Sequence, residues 1–117
     1  MKKKIILGLT ETITVFGEKS KETVIARIDT GATSSSIDYN LAATLKLGPI
    51  TKSKTIKSAS GVLKRPIIHA KVKIYEQVIE AEFSLADRSH LKYVILIGQN
   101  ILKQGNFLID PNKEAKE

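Results

Sequence analysis

The residues of this sequence best suited to chemistry are a single Asp-Thr-Gly tripeptide, Asp29-Thr30-Gly31. Two carboxylates held a few ångströms apart share one proton, because ionising both is costly. The ionised member of such a pair activates a bound water, and the protonated member donates to the carbonyl under attack. The other aspartates, such as Asp38, Asp87 and Asp110, lack this sequence context. The second carboxylate is therefore predicted to be Asp29 of a second copy of the chain.

The surroundings of the tripeptide distinguish it from an ordinary turn. Alone, Asp-Thr-Gly is more typical of a structural turn, because Asp and Gly both suit turns. Here it ends an apolar strand, and a small residue and a polar run follow it. A second apolar run that ends in glycine, Ile95-Leu96-Ile97-Gly98, comes later in the chain, with a basic hairpin in between. These three features favour a functional loop.

The elements that must position this loop are mostly strands. Asp38 is predicted to cap a short helix from Tyr39 to about Lys46, Gln99 to Lys103 to form one helical turn, and Ser60-Gly61 to join two strands as a hairpin. The continuous apolar run Lys92–Ile97 is expected to be buried on both faces. The fold class is thus all-β, mainly antiparallel, with one or two short helices. Strands are predicted over Lys4–Leu9, Glu11–Phe16, Glu22–Ile28, Thr51–Ala59, Val62–Tyr75, Val78–Leu85, Lys92–Ile97 and Phe107–Ile109.

Length and composition limit the class of protein. The 117 residues fit one domain, predicted over residues 1–110, with a polar tail over residues 111–117. There is no cysteine, which excludes disulfides and thiolate metal sites. The apolar run near the N-terminus, Ile5-Ile6-Leu7, is too short for a signal peptide or a membrane span, so a cytoplasmic location away from membranes is expected.

The positive charge is concentrated in the middle of the chain. The net charge is +7, and between Tyr39 and Tyr75 there are eight Lys or Arg residues and no acid. This stretch is either a solvated basic face or a surface that attracts an acidic partner, such as nucleic acid or an acidic peptide. Nucleic acid is disfavoured, because only three Tyr and three Phe are available for stacking and no RNA-binding motif is present.

Several segments together resemble the retropepsin-like aspartic proteases, from about Glu22 to Pro111. Within that group the sequence is most similar to the prokaryotic proteins labelled ATP-dependent zinc proteases. The resemblance implies a closed β-barrel that forms half of an acid protease, and a homodimeric aspartic-type peptidase acting on peptides or proteins. It is carried by Ala26-Arg27-Ile28-Asp29-Thr30-Gly31-Ala32, Arg65-Pro66-Ile67-Ile68, Ala86-Asp87-Arg88-Ser89, Lys92-Tyr93-Val94-Ile95-Leu96-Ile97-Gly98 and Phe107-Leu108-Ile109-Asp110-Pro111.

The resemblance also assigns roles to residues. Asp29, Thr30 and Gly31 would be the catalytic loop, with Thr30 bonding across the dimer and Gly31 allowing close backbone approach. The apolar run before Gly98 would brace that loop. A flap over the substrate would form at the hairpin, and the residues expected to bind substrate are Ala32, Ser60, Gly61 and Val62.

One position departs from the usual retropepsin pattern. An acidic residue shortly after Asp-Thr-Gly-Ala and an Arg after the second Gly commonly form an ion pair in this group. Here those positions are Thr33-Ser34 and Gln99, so both halves of the pair are missing together. The dimer is therefore expected to be held differently.

The label of zinc- and ATP-dependence has no support in the residues. The sequence contains no Gly-x-x-x-x-Gly-Lys-Ser/Thr loop and no His-Glu-x-x-His, and its two histidines, His69 and His90, are far apart. No metal site and no cofactor are expected.

Two further hypotheses compete with a homodimeric aspartic endopeptidase. One is a retropepsin-like dimerisation or peptide-binding module without catalysis, since a fold can be retained when its function is lost. The other is a basic β-barrel that binds nucleic acid. For the peptidase, an acidic or oligo-glutamate peptide is the expected substrate, because the flap is basic and the resembling proteins are often linked with ATP-grasp ligases that add glutamate.

Overall fold

The computed structural model describes residues 3–58 and 61–113, which form a β-barrel with two short helices. Short runs of β-branched and aliphatic residues, separated by polar turns, account for the many strands. In chain order the elements are β1 (Ile5–Leu7), β2 (Thr10–Phe16), β3 (Lys21–Ile28), β4 (Ser35–Asp38), α1 (Tyr39–Thr44), β5 (Lys52–Ser58), β6 (Gly61–Ile74), β7 (Gln77–Ala86), β8 (Ile95–Ile97), α2 (Gln99–Leu102) and β9 (Phe107–Ile109).

Six strands close the barrel in the order β2-β3-β8-β4-β7-β6, and β6 pairs back onto β2. β5 extends β6 outward as a hairpin, and β1 and β9 form a separate parallel pair. Closure removes the open edges of these six strands and encloses an apolar core. The prediction of a mostly β closed barrel with one or two short helices is confirmed.

The core is aliphatic, as the absence of Trp and the scarcity of other aromatics require. One aromatic side chain, Phe83, is fully buried in it. Around it pack fully buried aliphatic side chains from most of the strands and from α2, including Leu7, Ile13, Val15, Ile37, Ile68, Val72, Ile74, Ile95, Ile97 and Ile101.

One barrel strand escaped the sequence analysis. β4 consists of Ser-Ser-Ile-Asp, all four residues of which are buried, and its polar composition gives no strand signal. It lies between β7, to which it is parallel, and β8, to which it is antiparallel. Its hydroxyl groups are compatible with burial because other groups of the chain bond them, as described below.

The apolar run Lys92–Ile97 is shorter as a strand than predicted. Only Ile95–Ile97 forms β8, and Leu96 is partly exposed, so the strand is not buried on both faces. The residues before it approach through a turn in which Arg88 accepts a hydrogen bond from Leu91. Pairing is mainly antiparallel, but β1–β9, β3–β8 and β4–β7 are parallel.

The predicted helix cap is confirmed. The Asp38 side chain accepts a hydrogen bond from the Asn40 backbone N–H at 3.1 Å, and α1 ends at the C-cap Leu45. No helix among the described residues is long and apolar enough to cross a membrane.

Candidate active site

The Asp-Thr-Gly loop begins where β3 ends. β3 runs parallel to β8, with Arg27 opposite Leu96 and Ile28 opposite Ile97. The backbone N–H of Asp29 continues this ladder by donating to the Ile97 carbonyl at 2.9 Å. Because parallel strands end at the same edge of a sheet, the loop and the glycine turn after β8 lie side by side.

The Asp29 carboxylate is held at the barrel surface by its own loop. The Gly31 N–H donates to Asp29 Oδ1 at 2.9 Å, and the Ala32 N–H donates to the Asp29 carbonyl at 3.3 Å. Asp29 is partly exposed, whereas Ile28 before it is buried. A carboxylate fixed by a backbone N–H and open to solvent on its other side can approach a second group.

The turn after β8 supports the loop from behind. A Cβ on Gly98 would meet the Ser34 carbonyl and come within 2.9 Å of the Ala32 carbonyl oxygen, so only glycine fits there. The next residue, Gln99, donates its backbone N–H to Ala32 O at 2.8 Å and its side-chain Nε2 to Thr30 O at 2.7 Å. Gln99, which departs from the usual arginine, thus bonds the loop through an uncharged amide.

A buried hydroxyl links the loop to the barrel. Ser35 is fully buried, and its Oγ accepts from the Gly98 N–H at 2.9 Å and donates to Asn100 Oδ1 at 2.7 Å. The Asn100 amide in turn donates to the Glu82 carbonyl at 3.0 Å. Ser35 and Asn100 are not identifiable from the sequence, because their roles depend on contacts between distant segments.

The predicted hairpin is present as the β5–β6 pair, and we call it the flap hereafter, although its role over the substrate stays a prediction. Gly61 begins β6 opposite Ser58, and Val62 is 68% exposed. Ser60, the remaining flap residue expected to bind substrate, lies outside the described residues. At the base of the flap, Lys54 Nζ donates to Ser34 Oγ at 3.0 Å, which ties the hairpin to the segment that follows the Asp29 loop.

A groove of about 520 Å³ runs between the Asp29 loop and the base of the flap. Gly31, Ala32 and a series of serines form one side. Three cations, which we call the groove cations, also line it: Lys54, Arg65 and Arg88. Of the predicted site residues, the groove brings together Gly31 and Ala32, whereas Val62 projects farther along the flap.

Arg88 is the groove cation most firmly built into the fold. Its Nε donates to the Tyr93 carbonyl at 3.0 Å, and one terminal nitrogen donates to Ser36 Oγ at 3.1 Å. Burial lowers the pKa of the Arg88 guanidinium, and the charge of Arg65 lowers it further, while Asp38 acts in the opposite direction. The repulsion between the two arginines means that positive charge is concentrated at this groove.

The groups needed for a metal site are not gathered in the described ranges. Within residues 3–58 and 61–113, no three His, Asp or Glu side chains converge as a metal would require. His69 lies 3.6 Å from the Glu82 carboxylate at the barrel surface.

Comparison with known proteins points to one family. The family RimB-like, described as retropepsin-like aspartic endopeptidase RimB, matches residues 40–116 of this chain. The matched part contains the flap, the groove cations and the glycine turn after β8, and it begins after the Asp29 loop. Among curated protein sequences, none matches this chain.

Solved structures share the barrel. Protein Lpg0085 from Legionella pneumophila, described as of unknown function (DUF785), superposes with a TM-score of 0.67 at 22% identity, over 92% of this chain and 94% of that chain. EIAV protease complexed with the inhibitor HBY-793 gives 0.64 at 20% identity, over 81% and 85%. A retropepsin-like aspartic protease from Rickettsia conorii gives 0.53 at 22%, over 81% and 78%. At these identities the likeness confirms the retropepsin-like fold.

Proposed function

The chain belongs to the RimB-like family of retropepsin-like aspartic endopeptidases, and on that premise we propose that it hydrolyses peptide bonds as a homodimer. Each protomer would contribute one Asp29 carboxylate to a shared catalytic pair. The observation that carries the proposal is the Asp29 loop itself. A single carboxylate is fixed by the Gly31 N–H at 2.9 Å, at the surface end of a barrel whose structural relatives include proteases.

Two such loops facing one another would divide the chemistry between them. The pair would hold one proton, because two carboxylates at hydrogen-bonding distance ionise together only at a high cost. The ionised Asp29 would remove a proton from a water held between the loops as that water attacks the substrate carbonyl. The protonated Asp29 of the other protomer would donate to the carbonyl oxygen, which neutralises the developing negative charge.

The support around the loop suits this task. Gln99 and Ala32 hold the loop backbone at 2.8 Å, and Ser35 fixes the glycine turn behind it. A carboxylate has to be held within a fraction of an ångström of its productive position for efficient proton transfer. Thr30 is exposed at the tip of the loop, where a bond to the partner protomer would be accessible to it.

The substrate is proposed to be acidic, with an oligo-glutamate segment as one form. The flap base and the groove beside the Asp29 loop carry Lys54, Arg65 and Arg88, and the stretch from Tyr39 to Tyr75 contains no acid. Positive potential over the cleft raises the encounter rate with acidic peptides. A cytoplasmic setting remains an expectation from the sequence, as does the similarity to proteins labelled ATP-dependent zinc proteases.

The proposal is tested with Asp29→Asn. Replacing the carboxylate by an amide keeps its shape and the bond from Gly31 but removes its proton transfer, so cleavage of a Glu-rich peptide should fall by about a thousandfold. Asp110→Asn is the matched control, because Asp110 accepts a bond from the Asn112 N–H at 2.9 Å in a different loop. Equal cleavage by wild type and Asp29→Asn would refute the mechanism.

The dimer has its own test. One protomer supplies one Asp29, so specific activity should rise with protein concentration around the dimer dissociation constant. Sedimentation velocity at the assay concentration measures the oligomeric state, and a fully active monomer would exclude the shared pair.

A non-catalytic peptide-binding module is the second candidate. The observation that favours it is that the family match begins at residue 40, after the Asp29 loop. Binding of an acidic peptide without any cleavage, by wild type and Asp29→Asn alike, would support this alternative.

A further inference from the structure

The register of the flap brings two cations face to face. β5 and β6 pair antiparallel with Lys54 directly opposite Arg65. Directly opposed residues of an antiparallel pair project from the same face of the sheet, and like charges at such positions destabilise it. The bond from Lys54 to Ser34 identifies this face as the one turned toward the Asp29 loop. The fold therefore maintains an unfavourable pair at the groove.

The third groove cation adds to this repulsion. Arg88 arrives from the turn after β7, far from the flap in sequence, and its charge is close enough to Arg65 to disfavour a second positive charge there. Its position is fixed by bonds to Tyr93 O and Ser36 Oγ, so it cannot simply swing away. Three cations from two separate segments thus converge on one groove.

Two acids, Asp38 and Glu82, act on the groove cations but are bonded to other groups. Asp38 accepts bonds from the backbone N–H groups of Asn40 and Arg88. Glu82 pairs with Lys52 at 2.9 Å, and the hydrogen bond from Lys52 lowers the pKa of Glu82. In the described part of the chain, no ion pair involves a groove cation. The charge of the groove is therefore only partly offset: Asp38 acts on Arg88 and Glu82 acts on Lys54, but neither carboxylate forms an ion pair with these cations.

We infer that this groove is a subsite for a carboxylate of the bound peptide. Arg65 and Lys54 contact the carboxylate, and the fixed charge of Arg88 adds to the positive potential around it. The inference rests on the proposed function, because it sets the groove beside a cleavage site. Guanidinium and ammonium groups bind carboxylates with charge-assisted bonds, and the hydroxyls of the serine-rich wall supply further donors.

Two-fold symmetry extends the inference to the substrate sequence. A homodimer would have two such grooves, one on each side of the shared catalytic pair. A peptide with carboxylates on both sides of the scissile bond would fill both grooves, whereas a peptide with carboxylates on one side would fill only one. The subsite thus predicts a preference for acidic residues flanking the cleaved bond symmetrically.

The first experiment measures binding without cleavage. Asp29→Asn protein is titrated into a labelled Glu-rich peptide whose C-terminus is amidated, and fluorescence anisotropy gives the affinity. Adding Arg65→Gln or Lys54→Gln should weaken binding about tenfold, the loss expected for one charge-assisted bond. Lys21→Gln removes the same charge at the far end of β3 from Asp29, and it should weaken binding by less than about twofold.

Two further peptides identify the source of the carboxylate. An amidated Gln-rich analogue lacks side-chain carboxylates, and the same analogue with a free C-terminus carries one terminal carboxylate. If the Glu-rich peptide alone responds to Arg65→Gln, the groove takes a side-chain carboxylate. If the Gln-rich peptide with a free C-terminus responds, the groove takes the chain end. If Arg65→Gln and Lys21→Gln weaken binding equally, both for the Glu-rich peptide and for the Gln-rich peptide with a free C-terminus, the inference is wrong.

Cleavage by the wild-type protein separates this inference from the proposed function. Loss of binding in Arg65→Gln with no cleavage by wild type would uphold the subsite and reject the peptidase. Cleavage that is equally fast in wild type and Arg65→Gln on the Glu-rich peptide would uphold the peptidase and reject the subsite. Thermal melts that match wild type establish that Arg65→Gln and Lys54→Gln remain folded.

Discussion

Two charged clusters at opposite ends of β6 are built on different principles. The groove cations lie around its first half, where Lys54 opposes Arg65. Just after its last residue, Tyr75 joins Glu11 and Lys113 in what we call the terminal cluster. The groove gathers charges of one sign beside an open cleft, whereas the terminal cluster combines opposite charges and a phenol in a partly buried site.

In the terminal cluster the charged and polar groups are hydrogen-bonded to one another. Glu11 is 2% exposed and accepts from the Gly8 N–H at 2.7 Å, the Tyr75 hydroxyl at 3.1 Å and Lys113 Nζ at 3.0 Å. Lys113 also donates to the Ile6 carbonyl at 2.6 Å, and its ammonium lies 4.6 Å from the Tyr75 ring centre. Tyr75 adopts a positive φ of 54°, which the bonds of its hydroxyl help to maintain.

Structural and functional charge in this fold are distinguished by whether a charged group finds its partners within the chain. A buried carboxylate that meets a cation and two further donors is satisfied within the fold and requires no ligand. Like charges held together beside a cleft lower stability, and the proposed carboxylate subsite would explain their arrangement. Substitutions in the two clusters should therefore have effects of opposite sign on the free energy of unfolding.

The largest effect is expected at Gly98, in the turn that supports the Asp29 loop from behind. In Gly98→Ala the new methyl group meets the backbone of Ser34 and Ala32, which cannot move without displacing the Asp29 loop. The free energy of unfolding should fall by about 3 kcal/mol, and cleavage should be lost. Chemical denaturation measures the first and a peptide assay the second. A Gly98→Ala protein as stable and as active as wild type would contradict this supporting role of Gly98.

Next in size is the terminal cluster. Lys113→Met retains the length of the side chain but leaves the buried Glu11 carboxylate without its cation, so the free energy of unfolding should fall by about 2 kcal/mol. Binding of the Glu-rich peptide per folded molecule should be unchanged. A Glu11→Gln, Lys113→Met double-mutant cycle isolates the pair, and a coupling energy near zero would remove the contrast with the groove.

The terminal cluster should also give the stability an alkaline dependence. Burial alone would lower the pKa of Lys113, but bonds to Tyr75 and Glu11 outweigh it and raise that pKa above its ordinary 10.5. Because the raised pKa belongs to the folded state, the stabilisation is complete below the ordinary value and is lost as pH rises through the folded value. Denaturation curves across this range should converge for wild type and Lys113→Met; parallel curves would exclude the linkage.

The smallest expected effect is a gain in the free energy of unfolding. Lys54→Gln relieves the repulsion with Arg65, and the free energy of unfolding should rise by a few tenths of a kcal/mol. The loss of the bond to Ser34 is partly replaced, because the Gln amide also donates. Lys103→Gln, on an exposed residue after α2, is the control for net charge. A Lys54→Gln protein less stable than wild type would mean that the groove cations serve the fold.

Much of the barrel was predictable from local pattern. The alternation in Glu11–Phe16, the apolar run before Asp29 and the Asp38 cap each gave the element that the structure contains. These signals are local, since strand period and helix capping depend on neighbouring residues. β4 was missed because its serines are buried through bonds to distant groups, such as the bond between Ser35 and Gly98.

The register of the flap differs from the register that a turn at Ser60-Gly61 would give. A turn at Ser60-Gly61 pairs Ala59 with Val62, and so Lys54 with Ile67. The structure pairs Ser58 with Gly61 instead, which puts Lys54 opposite Arg65. A shift of one residue in a turn moves every cross-strand partner by two positions, and turn residues alone do not specify it.

The sequence by itself determined the chemistry that is available: one Asp-Thr-Gly loop at the end of an apolar strand, a basic central stretch and an aliphatic barrel core. These follow from residue types and short-range periodicity. Only the tertiary structure decided which charges meet. Lys113 belongs to the tail predicted over residues 111–117, and it reaches Glu11. Arg88 joins Arg65 at the groove. Coulomb energy depends on distance in space, and closure of the barrel, not order along the chain, sets those distances.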